Sequence, residues 1–405
     1  MNGYNIFNFL PAITEGLECH FAFVADEDRR QKVEKILGSG SVAFHYSGIA
    51  NYNYMLGNLA QAIEWRYKCL EIYQKQQQKS YQAMQFHNIS LIEMVMGNIR
   101  KARETLSQAL KLSHETRDLG DLRTEIAYKA YDEFLLGNSL YAYQDFEIAL
   151  FYEQKRKSDE QHLSSIWGNQ QAEFLIRIQA WKQFEVVNAW NIKNCKEYHW
   201  NSYLAVCHFL HGWYEICQGR LSQSEKALAQ AEHILRPSGM LQEICRLDWV
   251  WALLAEAKED YQKGLQHVND ALLTCADKGF RLWQADHFVL RGRLYLLQFQ
   301  KENRENLDLV EKAGDDSSEA LKIADDTGYI WAKVDALELL CLYHQARAKL
   351  SGFNTEDEKE SARRYAKEAK ANKKGLFLTE KQMEEAKAKA RKEFEKQTAG
   401  WDEEL

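Results

Sequence analysis

Apolar and polar positions in this chain follow a helical rhythm that restarts about every forty residues. YMLGNLAQAIE (54–64), MVMGNIRKARE (94–104) and FLLGNSLYAYQ (134–144) each place an apolar run before Gly-Asn and a small residue five places after the Gly. Within a unit the large apolar residues recur three, four and seven apart, as in Leu56, Leu59, Ile63 and Leu70, which is the spacing of one face of an α-helix. Gly57, Gly97, Gly137, Arg177, Gly219 and Glu259 mark six successive units 40 to 42 residues apart. Seven residues before the markers stand Ala50, Ser90, Ala130, Gln170, Gly212 and Ala252; twelve after stand Cys69, Ala109, Ala149, Ala189, Ala231 and Ala271.

Seven residues are two helical turns, so the small residue and the Gly share a face of a first helix. The marker predicts a helix end in the left-handed conformation, where Gly carries no Cβ penalty. Small residues five and twelve places later predict a second helix that lies close against the first and against the next pair. The unit at 161–199 departs at Gln170 and Lys182, which predicts looser packing there. NDALLTCADKGF (269–280) is echoed by SEALKIADDTGY (318–329) 49 residues on, so the polar stretch 302–316 predicts an extended loop or a longer helix pair, followed by a helix from Tyr329 to about Leu350.

The ends read differently. Residues 1–39 predict a divergent helical pair, Ile6–His20 and Asp26–Leu37, broken from the array by the GSGS at 38–41. Residues 40–350 form the array, and 351–405, with interleaved Lys and Glu, predict a charged helical cap or tail of the kind that stops end-to-end stacking.

Composition sharpens this. Only two prolines, Pro11 and Pro237, occur in 405 residues, which agrees with helix nearly throughout. A net charge of −7 gives no sign of the basic face that a general nucleic-acid binder needs. The eight cysteines are scattered without a C-x-x-C pair and read as small buried hydrophobes of a reducing compartment. The N-terminal stretch lacks a basic n-region, and no run of eighteen apolar residues occurs, so a cytoplasmic protein with no membrane span is expected.

The small, Gly, Ala, Ala signature resembles the tetratricopeptide repeat (TPR) over residues 40–350, with a period longer than that family's 34. The resemblance implies an all-α, right-handed α-solenoid of about seven to eight helix pairs whose first helices line a concave groove. Counting from the small positions puts Ser47, Asn51, Tyr54, His87, Tyr131, Trp213, Arg246, Trp249, Asp286, His287 and Arg293 on or beside that groove, with a protein or peptide as the expected occupant.

Catalytic grammar is absent: there is no Walker loop, G-x-G-x-x-G, H-E-x-x-H or G-x-S-x-G, so no enzyme and no cofactor is expected. Cys195, His199, Cys207 and His211 stand at four-residue spacings that fit no established zinc pattern, so no metal is expected either. Pairs such as Asp325-Asp326 read as helix-end solvation. The stretches 276–297 (ADKGFRLWQADHFVLRGRLYLL) and 324–340 (ADDTGYIWAKVDALELL) resemble the C-terminal sensor arrays of bacterial STAND-class signalling NTPases. That resemblance implies a non-enzymatic sensor or adaptor, with an NTPase or effector protein as a further partner. A receptor for a small signalling peptide is the alternative, and a metal-dependent enzyme with an unrecognised site stands behind both.

Overall fold

The computed structural model describes residues 13–302, 306–350 and 352–401, and every regular element among them is an α-helix. Two helices, α1 (Ile13–Val24) and α2 (Glu27–Leu37), precede the array. Seven complete pairs follow: α3 (Ser39–Met55) with α4 (Leu59–Lys75), α5 (Lys79–Val95) with α6 (Ile99–Thr116), α7 (Leu119–Leu135) with α8 (Ser139–Arg156), α9 (Ser165–Arg177) with α10 (Trp181–Glu197), α11 (Asn201–Cys217) with α12 (Leu221–Ser238), α13 (Leu241–Ala257) with α14 (Tyr261–Lys278), and α15 (Arg281–Lys301) with α16 (Leu307–Thr327). An eighth pair is α17 (Ile330–Arg347) with α18 (Thr355–Asn372), and α19 (Glu380–Gln397) ends the described chain.

The small positions lie where two helices meet: Ala50, Ala109, Ala149, Ala231 and Ala252 are completely buried. Zero exposure at such sites means that a larger side chain would have to displace a neighbouring helix. The fourth unit corrects the sequence reading. Its left-handed turn is at Gln179 (φ 63°), two residues beyond Arg177. In that register the small position is the fully buried Ala172, while Ala189 is exposed. The place of the second-helix alanine is taken by Asn191, also fully buried. Its side chain accepts from the Ser165 amide (2.6 Å) and donates to the Ser165 carbonyl (3.1 Å) and to Asn169 Oδ1 (2.8 Å). A polar group thus finishes the start of the short helix α9, where the neighbouring units use an alanine.

The ends also differ in detail. Residues 6–12 of the expected first helix lie outside the described residues, and α1 runs on to Val24. The break before the array is Gly38 alone (φ 85°); Ser39 and Gly40 already belong to α3. Of the polar stretch at 302–316, residues 307–316 begin α16, Glu302 ends α15 as its C-cap, and 303–305 lie outside the described set; α15 and α16 are each 21 residues long.

The pairs do not form an open arc. The turns of the first three pairs rest on turns from the far end of the chain: Gly57 against Lys278 and Phe280, Gly97 against Arg281 and Thr327, Gly137 against Ile330 and Leu376. Trp331 Nε1 donates to the Phe134 carbonyl (2.9 Å), and Tyr54 Oη donates to Gln242 Oε1 (2.9 Å). Helix α19 packs on α8, where Phe394 meets Tyr152 edge to face at 4.9 Å and Tyr152 Oη donates to Gln397 Oε1 (2.9 Å). The superhelix winds tightly enough for its second coil to stack on its first.

Candidate functional site

Tight winding brings the inner faces of α9, α11, α13, α15 and α17 together around the axis. Two arginines meet there. Arg177, the last residue of α9, donates to Asp286 of α15 (3.0 Å) and Asp335 of α17 (3.2 Å). Its guanidinium lies 5.1 Å from the Trp213 ring and 5.4 Å from the Trp249 ring, within cation–π range. Arg246 of α13 donates to Glu243 (2.8 Å) and to Glu173 of α9, and lies 4.7 Å from the Trp283 ring. Tyr131 Oη donates to Glu173 (2.9 Å), and Tyr329 Oη donates to Asp286 (3.1 Å).

Burial opposes the charge on both guanidiniums, yet Tyr329, Asp286 and Asp335 around Arg177, and Glu173 and Glu243 around Arg246, hold them above the ordinary arginine range. Burial pushes the Asp286 carboxyl up to about 6, against the pull of Arg177. A buried ion-pair network of this kind is expensive to desolvate and is strongly destabilised when one partner is removed.

Two spaces adjoin the network. The inner one, about 20 Å³, is lined by Trp213, Trp249, Trp283, Arg246, Asp286 and His287 among others. The outer one, about 260 Å³, lies between the α9–α11 side and α17, with Trp181, Trp213, Trp331 and Phe377 as aromatic walls and Arg177 and Asp335 at its polar end. Arg177 and Trp213 line both, so the recess leads to the network.

Most of the residues expected on an open groove fall into two groups. Trp213, Trp249, Arg246, Asp286 and His287 converge on the inner space, with Tyr131 bonded to the same network; Tyr131 and His287 are only 3% and 1% exposed. Their surface is closed, because the first helices meet one another across the axis. Arg293 lies apart, paired with Glu256 (2.6 Å), and Tyr54 ties α3 to α13 through Gln242. Ser47, Asn51 and His87 belong to a second polar cluster in the first pairs. Ser47 and Asn51 accept from the buried Arg66 of α4, which also donates to Gln85 (3.2 Å), and His87 sits 3.7 Å from Glu125.

Sequence reasoning missed Arg177, Glu173, Trp181, Trp331, Asp335 and Phe377. Arg177 is a lone cation within the apolar run FLIRIQAW, but the forty-residue period puts it at a turn. Phe377 sits in the turn before α19, and nothing local says that this turn reaches the axis. The zinc-like set does not come together. Cys195 and Cys207 are buried beside Asn191 and Asn169, whereas His199 sits in a left-handed turn and His211 faces Glu215. Among the described residues no group of three or more His, Cys, Asp or Glu is arranged to hold a metal ion, and no helix is long and apolar enough to cross a membrane.

The chain is an all-α protein of repeated helix pairs. No protein-family model matches it, and no curated protein matches it either. Among solved structures it is similar to the P58(IPK) TPR domain, at 12% identity over 88% of this chain and 99% of that one, TM-score 0.23. It is also similar to yeast Tom70, at 13% identity over 89% of this chain and 95% of that one, TM-score 0.26. At these scores the superposition is poor, and the repeat architecture rests on the helix pairs themselves.

Proposed function

We propose that this protein is a non-enzymatic binding scaffold that takes a segment of a protein or peptide partner into the aromatic-walled recess between α9–α11 and α17. The observation that carries the reading is the recess itself: four aromatic side chains and an Arg–Asp pair around about 260 Å³. Aromatic side chains with one apolar face and few convergent polar groups are what binding pockets use for affinity and orientation. The volume suits one or two side chains of an extended segment, not a helix laid along a groove. This favours a short peptide or an exposed loop as the occupant. Trp213 and Arg177, shared with the inner network, would couple occupancy to the axis of the coil. That coupling fits a sensor or adaptor role, with an NTPase or effector protein as downstream partner, in line with the resemblance of 276–297 and 324–340 to STAND-class sensor arrays.

A photo-reactive phenylalanine analogue at Phe377, introduced in the native cell, tests this. A defined cross-linked partner is expected from position 377 and not from Leu273, which is 73% exposed on the outer helix α14. Equal labelling from both positions, or none from 377, would remove the proposal.

A further inference from the structure

Arg177, Lys373 and Asp335 are the charged side chains that line the recess, and the charges they pair with do not balance. Four carboxylates, those of Glu173, Glu243, Asp286 and Asp335, face only two guanidiniums, Arg177 and Arg246, around the adjoining network. Lys373 also lines the recess, but its ammonium already pairs with Glu338 at 2.5 Å. The surplus is therefore negative. Asp335 is the carboxylate nearest to water: its side chain is 36% exposed, against 8% for Asp286. The same recess is lined by the rings of Trp181, Trp213, Trp331 and Phe377, and the faces of such rings attract cations.

From this arrangement we infer that the recess accepts a cationic side chain, an arginine or lysine of the partner segment, held over the aromatic walls with its charge toward Asp335. This rests on the binding role proposed above and names the chemistry of its guest. An anionic guest would have to draw Arg177 from Asp286 and Asp335, or Lys373 from Glu338, and would leave those carboxylates uncompensated beside it. A neutral apolar guest would satisfy the walls but not the surplus charge.

The test uses the whole chain and blocked pentapeptides Ala-Ala-Xaa-Ala-Ala, with Xaa as arginine, lysine, norleucine or glutamate. Binding is followed by the indole N–H resonances of Trp181 and Trp213. The arginine and lysine peptides are expected to bind roughly tenfold tighter than the norleucine peptide, the size of a desolvated cation–aromatic contact. In Asp335→Asn that preference should collapse while norleucine binding persists, and the persistence shows that the fold and walls are intact. In Phe377→Ala, a change in an exposed turn, all affinities should fall. Equal binding of arginine and norleucine, or tighter binding of glutamate, would overturn the inference and leave the recess as a binding site. Unmoved indole resonances with every peptide would overturn both.

Discussion

Glu125 is a buried acid with an incomplete set of partners. It is fully buried on α7; Oε1 accepts from Ser113 (2.8 Å), and Oε2 has no hydrogen-bond partner among the described residues. Burial pushes its carboxyl from 4.5 up to about 8, against the Ser113 hydrogen bond. Burial likewise pulls His87 down to about 4, so near neutrality both groups are uncharged. The sign follows from linkage. A carboxyl that holds its proton more tightly when folded gives a contribution complete below pH 4.5 and lost as pH rises to about 8. His87, with its folded value depressed, acts on the other side: stability falls as pH drops from 6.5 toward 4. Glu125→Gln keeps an acceptor for Ser113 and removes the ionisation. Urea denaturation should then show the variant more stable than the parent at pH 8 by on the order of 1–3 kcal/mol, with little difference at pH 5. The acid limb set by His87 should remain. Identical pH profiles for the two proteins would show that Glu125 is solvated or paired in solution.

At the scale of the element, the turns divide by what lies beyond them. The turn between the two helices contains a residue with positive φ in each of the first six pairs: Gly57, Gly97, Gly137, Gln179, Gly219 and Glu259. A Cβ at Gly97 would come within 2.6 Å of Thr327 Cγ2, and one at Gly137 within 2.6 Å of Ile330 Cγ2, whereas one at Gly219 meets nothing within 4 Å. The first three turns are stacked on the second coil; those at Gln179 and Glu259 carry side chains of ordinary size. Gly219→Ala should therefore cost about 1–2 kcal/mol of left-handed strain alone, and Gly97→Ala a further 1–3 kcal/mol of overpacking. Thr327→Ser removes the offending methyl and keeps the hydroxyl that donates to the Ile323 carbonyl (2.8 Å), so it should recover part of the loss at Gly97 and none at Gly219. Equal costs at the two glycines would mean that the coils do not touch. The contrast also marks what the sequence could say. Helix pairs, turns and buried small residues were legible because they depend on neighbours within one repeat, as at Ala109 and Ala149. The fourth unit is offset by two residues because the turn at Gln179, just past Arg177 at the end of α9, has no Gly to mark it. The site was legible in part: Trp213, Trp249, Arg246, Asp286 and His287 were found from helical phase. Trp331, Asp335 and Phe377 were not, since they reach the recess through the pitch of the superhelix, which no local spacing encodes.

For the whole molecule, stacking of the coils changes how stability is shared. In an open solenoid each repeat feels only its neighbours, so damage at one end stays there. Here the turn before α19 contributes Leu376, which would lie 3.1 Å from a Cβ at Gly137, and α19 contributes Phe394 and Gln397 to Tyr152 of α8. The last helix therefore holds the third pair, more than two hundred residues away in sequence. Phe394→Ala should free α19 from α8, because the truncation removes the ring that meets both Phe151 (5.8 Å) and Tyr152 (4.9 Å). Phe394 is only partly buried, so the local loss should be about 1–3 kcal/mol. Hydrogen exchange read residue by residue should then speed up in α18 and α19, and also at the amides of α8 and of the turn at Gly137, while α11 and α12 keep their protection. Exchange confined to α18 and α19 would mean that the two coils lie together without supporting each other. The recess depends on the same closure, since Phe377 is carried by the turn that α19 anchors and Trp331 by the helix that meets Phe134. A loosened α19 should therefore also weaken peptide binding at the indoles of Trp181 and Trp213, although neither residue touches Phe394.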